Sequence, residues 1–251
     1  MAIDPQLLHS LQAARHVVVL TGAGVSAESG VPTFRDKQTG LWERFDALEL
    51  ATPQAFQRDP ALVWGWYQWR RRLVERAQPN AAHHALAQWQ QRPVRFTLIT
   101  QDVDDLHERA GSRDVQHLHG RLSLNVCENC RREAQLDAAE ELFEDGRRIE
   151  PPRCANCGAR IRPGVVWFGE ALPQAEWRFA VEAAESCDLF LCVGTSALVQ
   201  PAASLVDHAA DAVTVQINTN PTPLDEAVDY SLNGPAGVIL PELLQRAYAK
   251  P

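Results

Sequence analysis

The chain has 251 residues, 45% apolar and 22% charged, a balance typical of globular proteins and unlike that of disordered or fibrous ones. Its formal net charge of −8 argues against a nucleic-acid surface, which wants a net basic face; Arg70-Arg71-Arg72 is a local exception. No apolar run is long enough to span a bilayer and residues 1–15 lack a secretory pattern, so no membrane partner and a cytoplasmic location are expected.

Asp4-Pro5 pairs a helix cap with proline at the first helical position and opens a helix toward Arg15. The β-branched run His16-Val17-Val18-Val19-Leu20 predicts a buried strand that empties into Thr21-Gly22-Ala23-Gly24. Ala27 stands where the third small residue of a nucleotide-binding fingerprint belongs, although an ordinary strand-to-helix turn fits these residues equally well. A standard dinucleotide domain places a second strand with a terminal acid about 20 residues further on. Here Val31-Pro32-Thr33-Phe34-Arg35-Asp36 leads instead into a Trp-rich stretch that reads as helical as far as Gln91.

Asp59-Pro60 repeats the cap-and-proline signal, and Leu62, Trp66, Trp69 and Leu73 recur at helical spacing as one apolar stripe. Asn80 caps a further helix that ends before Pro93. Phe96-Thr97-Leu98-Ile99-Thr100 is a second buried strand, followed by Gln101-Asp102-Val103-Asp104. Two more follow: 189–193 before Gly194-Thr195-Ser196, and 212–217 before Asn218. Apolar strands that each end in a polar or glycine turn predict a doubly wound α/β parallel sheet, which binds ligands beyond the strands' carboxyl ends.

Cys127, Cys130, Cys154 and Cys157 form two C-x-x-C knuckles, spaced slightly wider than in the commonest zinc ribbon. Four thiolates leave no open coordination position, so one structural Zn²⁺ is expected. Cys187 and Cys192 read as small core residues. His117-Leu118-His119-Gly120 offers an imidazole as a general base or, equally, a hydrogen-bonded structural histidine.

These motifs, with Val165-Val166-Trp167-Phe168-Gly169-Glu170, stand in the order found in sirtuins. The chain resembles a bacterial sirtuin, an NAD-dependent protein-lysine deacylase, over nearly its full length. The resemblance implies an altered Rossmann domain (1–36, 80–120 and 163–251). It also implies a small domain with a helical module (37–79) and a zinc module (121–162), and a cleft between the two domains where NAD and an acylated lysine side chain meet. It assigns NAD contacts to Gly22, Ala23, Gly24, Ser26, Ala27, Phe34, Arg35, Gln101, Asp102, Asp104, Gly194, Thr195, Ser196, Asn218, Thr219, Asn220 and Ala236, and the catalytic base to His119. Val166, Phe168, Gly169 and Glu170 fall in the segment that clamps the acyl-lysine by strand addition. The implied reaction transfers ADP-ribose to the acyl oxygen, expels nicotinamide and ends in deacylated lysine and O-acyl-ADP-ribose.

Tyr67 and Arg70, three apart on one helix face, are similar to the pair of the desuccinylase and demalonylase subclass. An arginine fork and a phenol suit an acyl carboxylate; the competing reading is a solvated helix end. One position departs from the family: Asp102 stands where an asparagine is expected beside the nicotinamide ribose, and it is a candidate catalytic position. An ionised carboxylate there lacks the amide donor. That leaves room for a tolerated variant of a deacylase, an enzyme diverted to NAD hydrolysis or protein ADP-ribosylation, or a binding module without turnover.

Overall fold

The computed structural model describes residues 3–33, 46–136 and 147–248. Asp4 caps α1 (Pro5–Ala13), its carboxylate accepting the Gln6 N–H at 2.7 Å. The strand β1 (His16–Thr21) follows, and then α2 (Gly24–Ala27), a single turn rather than the long helix of a standard dinucleotide fingerprint. The Trp-rich stretch resolves into α3 (Ala47–Leu50), α4 (Pro53–Arg58), α5 (Pro60–Arg76) and α6 (Ala81–Gln90). Asp59 and Asn80 cap the last two through their side chains, as their sequences predict.

The chain then forms β2 (Arg95–Thr100), α7 (Leu106–Arg109), β3 (Gln116–His117), β4 (Gly120–Cys127), β5 (Ile161–Val165) and α8 (Gln174–Glu185). It ends with β6 (Leu189–Val193), β7 (Val213–Asn218), β8 (Tyr230–Asn233) and α9 (Ala236–Tyr248). Six strands make one parallel sheet in the order β3-β2-β1-β6-β7-β8. The chain leaves β1 in one direction through β2 and β3, then returns to pair β6 on the other side of β1. Strand order therefore reverses between β1 and β6, and that reversal opens a crevice at their carboxyl ends.

Side chains of β1 alternate between two apolar layers. Val17 and Val19 join the layer of α1, α6 and α9; Val18 and Leu20 join that of α8 and the 3₁₀ helix Ala202–His208. A third cluster is built from α3, α4 and α5 with β4, β5 and Trp167, away from the sheet faces. Two expectations need correction. The sheet has six strands, not four, because β3 and β8 are short, partly exposed edge strands with no readable alternation. Helix α5 is not a one-sided stripe: Ala61–Tyr67, Trp69, Arg70 and Val74 are all buried, so it is enclosed on most sides.

Candidate active site

The crevice between β1 and β6 is lined by backbone. Gly24 donates its N–H to Gly194 O at 2.8 Å, Gly22 donates to Val193 O at 3.0 Å, and Gly194 donates to Ile217 O at 2.9 Å. The two glycine loops are interlocked. A Cβ on Gly24 would lie 2.6 Å from Gly194 O, and Gly194 itself has φ of +62°, a conformation that favours glycine. Side chains finish the joint: Gln101 Nε2–H donates to Thr195 Oγ1 at 2.9 Å, and Asn218 Nδ2–H donates to Thr195 O at 3.0 Å.

Gly22, Ala23, Gly24, Ser26, Gln101, Thr195, Ser196 and Asn218 thus surround one set of strand ends. Thr219 and Asn220 follow β7 and are exposed, and Ala27 is exposed at the end of α2. Ala236 begins α9, which is tied to this region by the Glu28 carboxylate accepting the Gly237 N–H at 3.0 Å. Phe34 and Arg35 lie outside the described residues.

The two histidines of His117-Leu118-His119 separate by their partners. His117 is occupied on both sides, with Asp102 O at 3.0 Å from Nδ1 and Glu108 Oε1 at 2.8 Å from Nε2. His119 has Gln101 O at 3.0 Å from Nδ1, and a carbonyl oxygen only accepts, so Nδ1 carries the proton and Nε2 the lone pair. Burial holds His119 below the usual imidazole range, outweighing the Gln101 hydrogen bond, and keeps it a neutral base. Its own carbonyl accepts the Val166 N–H at 2.8 Å, which fastens the base to the 166–170 segment.

Asp102 is 6% exposed. Its Oδ2 accepts the Thr100 hydroxyl at 3.3 Å, Thr100 accepts from Thr21 at 2.8 Å, and Thr21 faces His107 Nε2 at 2.9 Å. Burial and then the Asp104 charge push the Asp102 carboxyl well above its usual range, and the Thr100 hydroxyl offsets only part of this. Burial also raises Asp104, against the Ser26 hydroxyl and the Leu106 N–H. Among the described residues no cation lies within ion-pair distance of either carboxyl group. A carboxyl group offers an O–H donor only in its protonated form, which this environment favours.

On α5, Tyr67 and Arg70 are 2% and 6% exposed, which removes the solvated-helix-end reading. Trp167 Nε1–H donates to the Tyr67 hydroxyl at 2.9 Å. Burial lowers Arg70, while Tyr67 and Asp104 favour its charged form. Its Nη2 donates to Pro32 O at 3.3 Å. Glu170 holds Arg162 through both oxygens, at 2.5 and 2.8 Å, and accepts the Trp167 N–H at 2.8 Å. Phe168 is exposed and donates its N–H to Ala51 O at 2.9 Å. Sequence reading missed Arg162 and the buried Thr21–Thr100–His107 chain, because neither has a local spacing that announces it.

The four knuckle sulfurs converge, all within 4.8 Å of one another, with Cys127–Cys157 at 3.4 Å and Cys130–Cys154 at 3.7 Å. Tetrahedral Zn–S bonds of about 2.3 Å set sulfur atoms about 3.8 Å apart, so the donor set fits zinc. Hydrogen bonding, led by the Arg132 backbone, brings the Cys130 thiol down to about 6, toward the thiolate that binds metal. Cys187 and Cys192 are buried in the core layer beside α8, as expected. Among the described residues no helix is long and apolar enough to cross a membrane.

Comparisons with known proteins agree with this geometry. The Sir2 family model matches residues 22–201. An NAD-dependent protein deacylase of Methylococcus capsulatus is 56% identical over 98% of this chain and 97% of its own. A Sir2 homologue solved in complex with NAD superposes with a TM-score of 0.90 at 46% identity, covering 98% of this chain and 94% of its own. A Sir2 protein bound to acetylated peptide gives 0.83 at 27% identity, with 98% of each chain covered. The family model spans most of this chain and the deacylase relative matches it over nearly its full length, and the chain belongs to the Sir2 family.

Proposed function

We propose that this protein removes acyl groups from protein lysines at the β1–β6 crevice, with His119 as base, Tyr67 and Arg70 as receptors of an acidic acyl group, and succinyl- and malonyl-lysine among its substrates. The protein is an NAD-dependent protein-lysine deacylase with one structural zinc. The segments 1–36, 80–120 and 163–251 form the NAD-binding domain, and 37–79 with 121–162 form the small domain. The observation that carries the reading is the single link from Gln101 through His119 to Val166. It holds the His119 ring through Nδ1 to the loop after β2 and ties the His119 backbone to the 166–170 segment, which supports Nε2 as the working nitrogen.

NAD supplies the ribose electrophile and the nicotinamide leaving group. The chain's own residues do the rest. The Gly22–Gly24 and Gly194–Ser196 loops present backbone close enough to hold a dinucleotide, the Gly24 N–H to Gly194 O bond joins them, and Gln101 and Asn218 fasten Thr195 of the second loop to the ends of β2 and β7. His119 accepts a proton at Nε2 while Gln101 O holds its ring in place. Phe168 and Gly169 offer an exposed edge to an extended peptide, and Val166 ties that edge to the base. The zinc would be held by Cys127, Cys130, Cys154 and Cys157, which join β4 to the 154–157 knuckle and keep β5 in register with β4.

Tyr67 supports the acidic-acyl reading. It is buried, accepts from Trp167, and its own O–H proton meets no acceptor among the described residues. A buried donor beside a buried guanidinium suits a carboxylate. Free thiols throughout and a thiolate metal site support a reducing cytoplasm.

The test is to incubate the protein with NAD and acetyl-, succinyl- or malonyl-lysine peptides. O-acyl-ADP-ribose is the expected product, and loss of NAD independent of peptide would overturn the deacylase assignment. Arg70→Met is expected to cut desuccinylation kcat/KM about a hundredfold and deacetylation far less, as loss of a buried charge-assisted pair demands. Equal losses would remove the acidic-acyl reading.

A further inference from the structure

We infer that Trp167 is a positioning residue for acyl selectivity, acting through the Tyr67 hydroxyl and held in place by the Arg162–Glu170 pair. The inference rests on the acidic-acyl reading above and assigns it a second layer of residues.

The geometry runs in one direction. Glu170 grips Arg162 with both carboxylate oxygens, and Arg162 also donates to Val165 O at 2.9 Å. The guanidinium carbon lies 3.4 Å from the centre of the Trp167 ring. A cation on the face of an indole draws electron density from it and makes the N–H a stronger donor. The Glu170 carboxylate also binds the backbone N–H of Trp167, so the same pair fixes both the main chain and the ring of that residue. Phe56 packs against the indole at 5.2 Å, and Tyr67 lies at 6.4 Å. Arg162, Phe56 and Tyr67 thus surround a buried indole.

The Trp167 N–H ends on the Tyr67 oxygen. A phenolic hydroxyl keeps its proton near the ring plane, on one side of the oxygen or the other. With the indole N–H on one side, the Tyr67 proton is turned to the opposite side, where the chain supplies no acceptor among the described residues. Such a hydroxyl is a preoriented donor. An acyl group that ends in a carboxylate uses that donor, whereas an acetyl methyl gains nothing from it. Burial raises the Tyr67 pKa, so the proton stays on the oxygen throughout the working range.

The expected result is a KM effect specific to acidic acyl groups. Trp167→Phe keeps an aromatic ring over Arg162 and deletes the donor. It is expected to raise KM for a succinylated peptide about fivefold more than for the acetylated peptide, with kcat for the two changed alike. Tyr67→Phe is expected to do the same, and the double variant no more than Tyr67→Phe alone, because both changes remove one interaction. Benzothienylalanine at position 167, which replaces the indole N–H by sulfur at nearly constant shape, repeats the test without repacking and decides it where Trp167→Phe folds poorly.

Additive effects in the double variant, or equal KM changes for both peptides, overturn the inference. A selective loss in Arg70→Met and Tyr67→Phe with no selective effect at position 167 leaves the acidic-acyl reading standing and removes only the role of Trp167. No selectivity in any of them removes the reading itself.

Discussion

The two walls of the proposed cleft hold their groups by different means. On the sheet side the work falls to backbone: interlocked glycine loops, a histidine anchored to a carbonyl, and strand ends in register. On the opposite wall it falls to buried side chains, an arginine–glutamate pair, an indole and a phenol packed into a separate core. Backbone-held geometry is rigid and indifferent to which acyl group arrives, which suits the shared chemistry. Side-chain-held geometry changes with single substitutions, which suits selectivity. Damage to the first wall should therefore reduce turnover on every acyl-lysine, and damage to the second should redistribute it.

The largest expected effect is on the sheet side. His119→Ala should lower kcat by about a thousandfold for acetyl and succinyl peptides alike, as loss of a general base does. In the unmodified protein burial keeps the imidazole pKa low, so the acid limb of kcat/KM should lie below pH 6.5. An acyl-dependent loss in the alanine variant would break the contrast between the walls.

Zinc comes next. A strong chelator, or Cys154→Ser, should destabilise the region around the four knuckle cysteines by several kcal/mol, visible as an early unfolding step with released metal. Since β5 leads into the 166–170 segment, peptide KM should rise before NAD affinity falls. The opposite order would show that the zinc module supports the sheet side instead.

Gly24→Val places branched carbons where Gly194 O stands 2.6 Å from the first of them. The loops must part, and NAD affinity should weaken about tenfold or more while the acetyl-to-succinyl ratio stays fixed. Binding by calorimetry and the ratio of rates check both halves of this expectation.

The smallest effect concerns Asp102. Its folded pKa is raised, so between the ordinary carboxyl value and the raised one the native state binds more protons than the unfolded chain. Stability therefore falls as pH rises through that window, by at most about 1.4 kcal/mol per pH unit. Asp102→Asn removes that slope. The variant should melt at nearly the same temperature as the parent near pH 4 and increasingly above it toward neutrality. Parallel melting curves across the range would show that Asp102 is ionised and satisfied.

Much of the sheet wall was legible in the chain. The run from His16 to Leu20, the glycines after it and the polar ends of three later strands require only local patterning. The knuckle cysteines were equally plain, because metal ligation imposes short spacings. The edge strands β3 and β8 were not, since a two-residue and a four-residue half-exposed strand carries no period. The Trp-rich helix misled in one respect: its one-sided spacing suggested a single buried face, yet neighbours enclose most of it.

The sequence by itself determined the four central strands, the glycine turn after the first of them, the two cysteine pairs and the family to which they belong, because each is written in short local patterns. Only the tertiary structure decided which histidine is free at Nε2, that Asp102 is buried beside a second acid, and that Arg162 lies on the Trp167 ring while Trp167 binds Tyr67. Those facts depend on partners up to a hundred residues apart, such as Trp167 and Tyr67. Protonation state and hydrogen-bond direction are set by such neighbours and by the loss of water around them, and neither leaves a local trace in the chain.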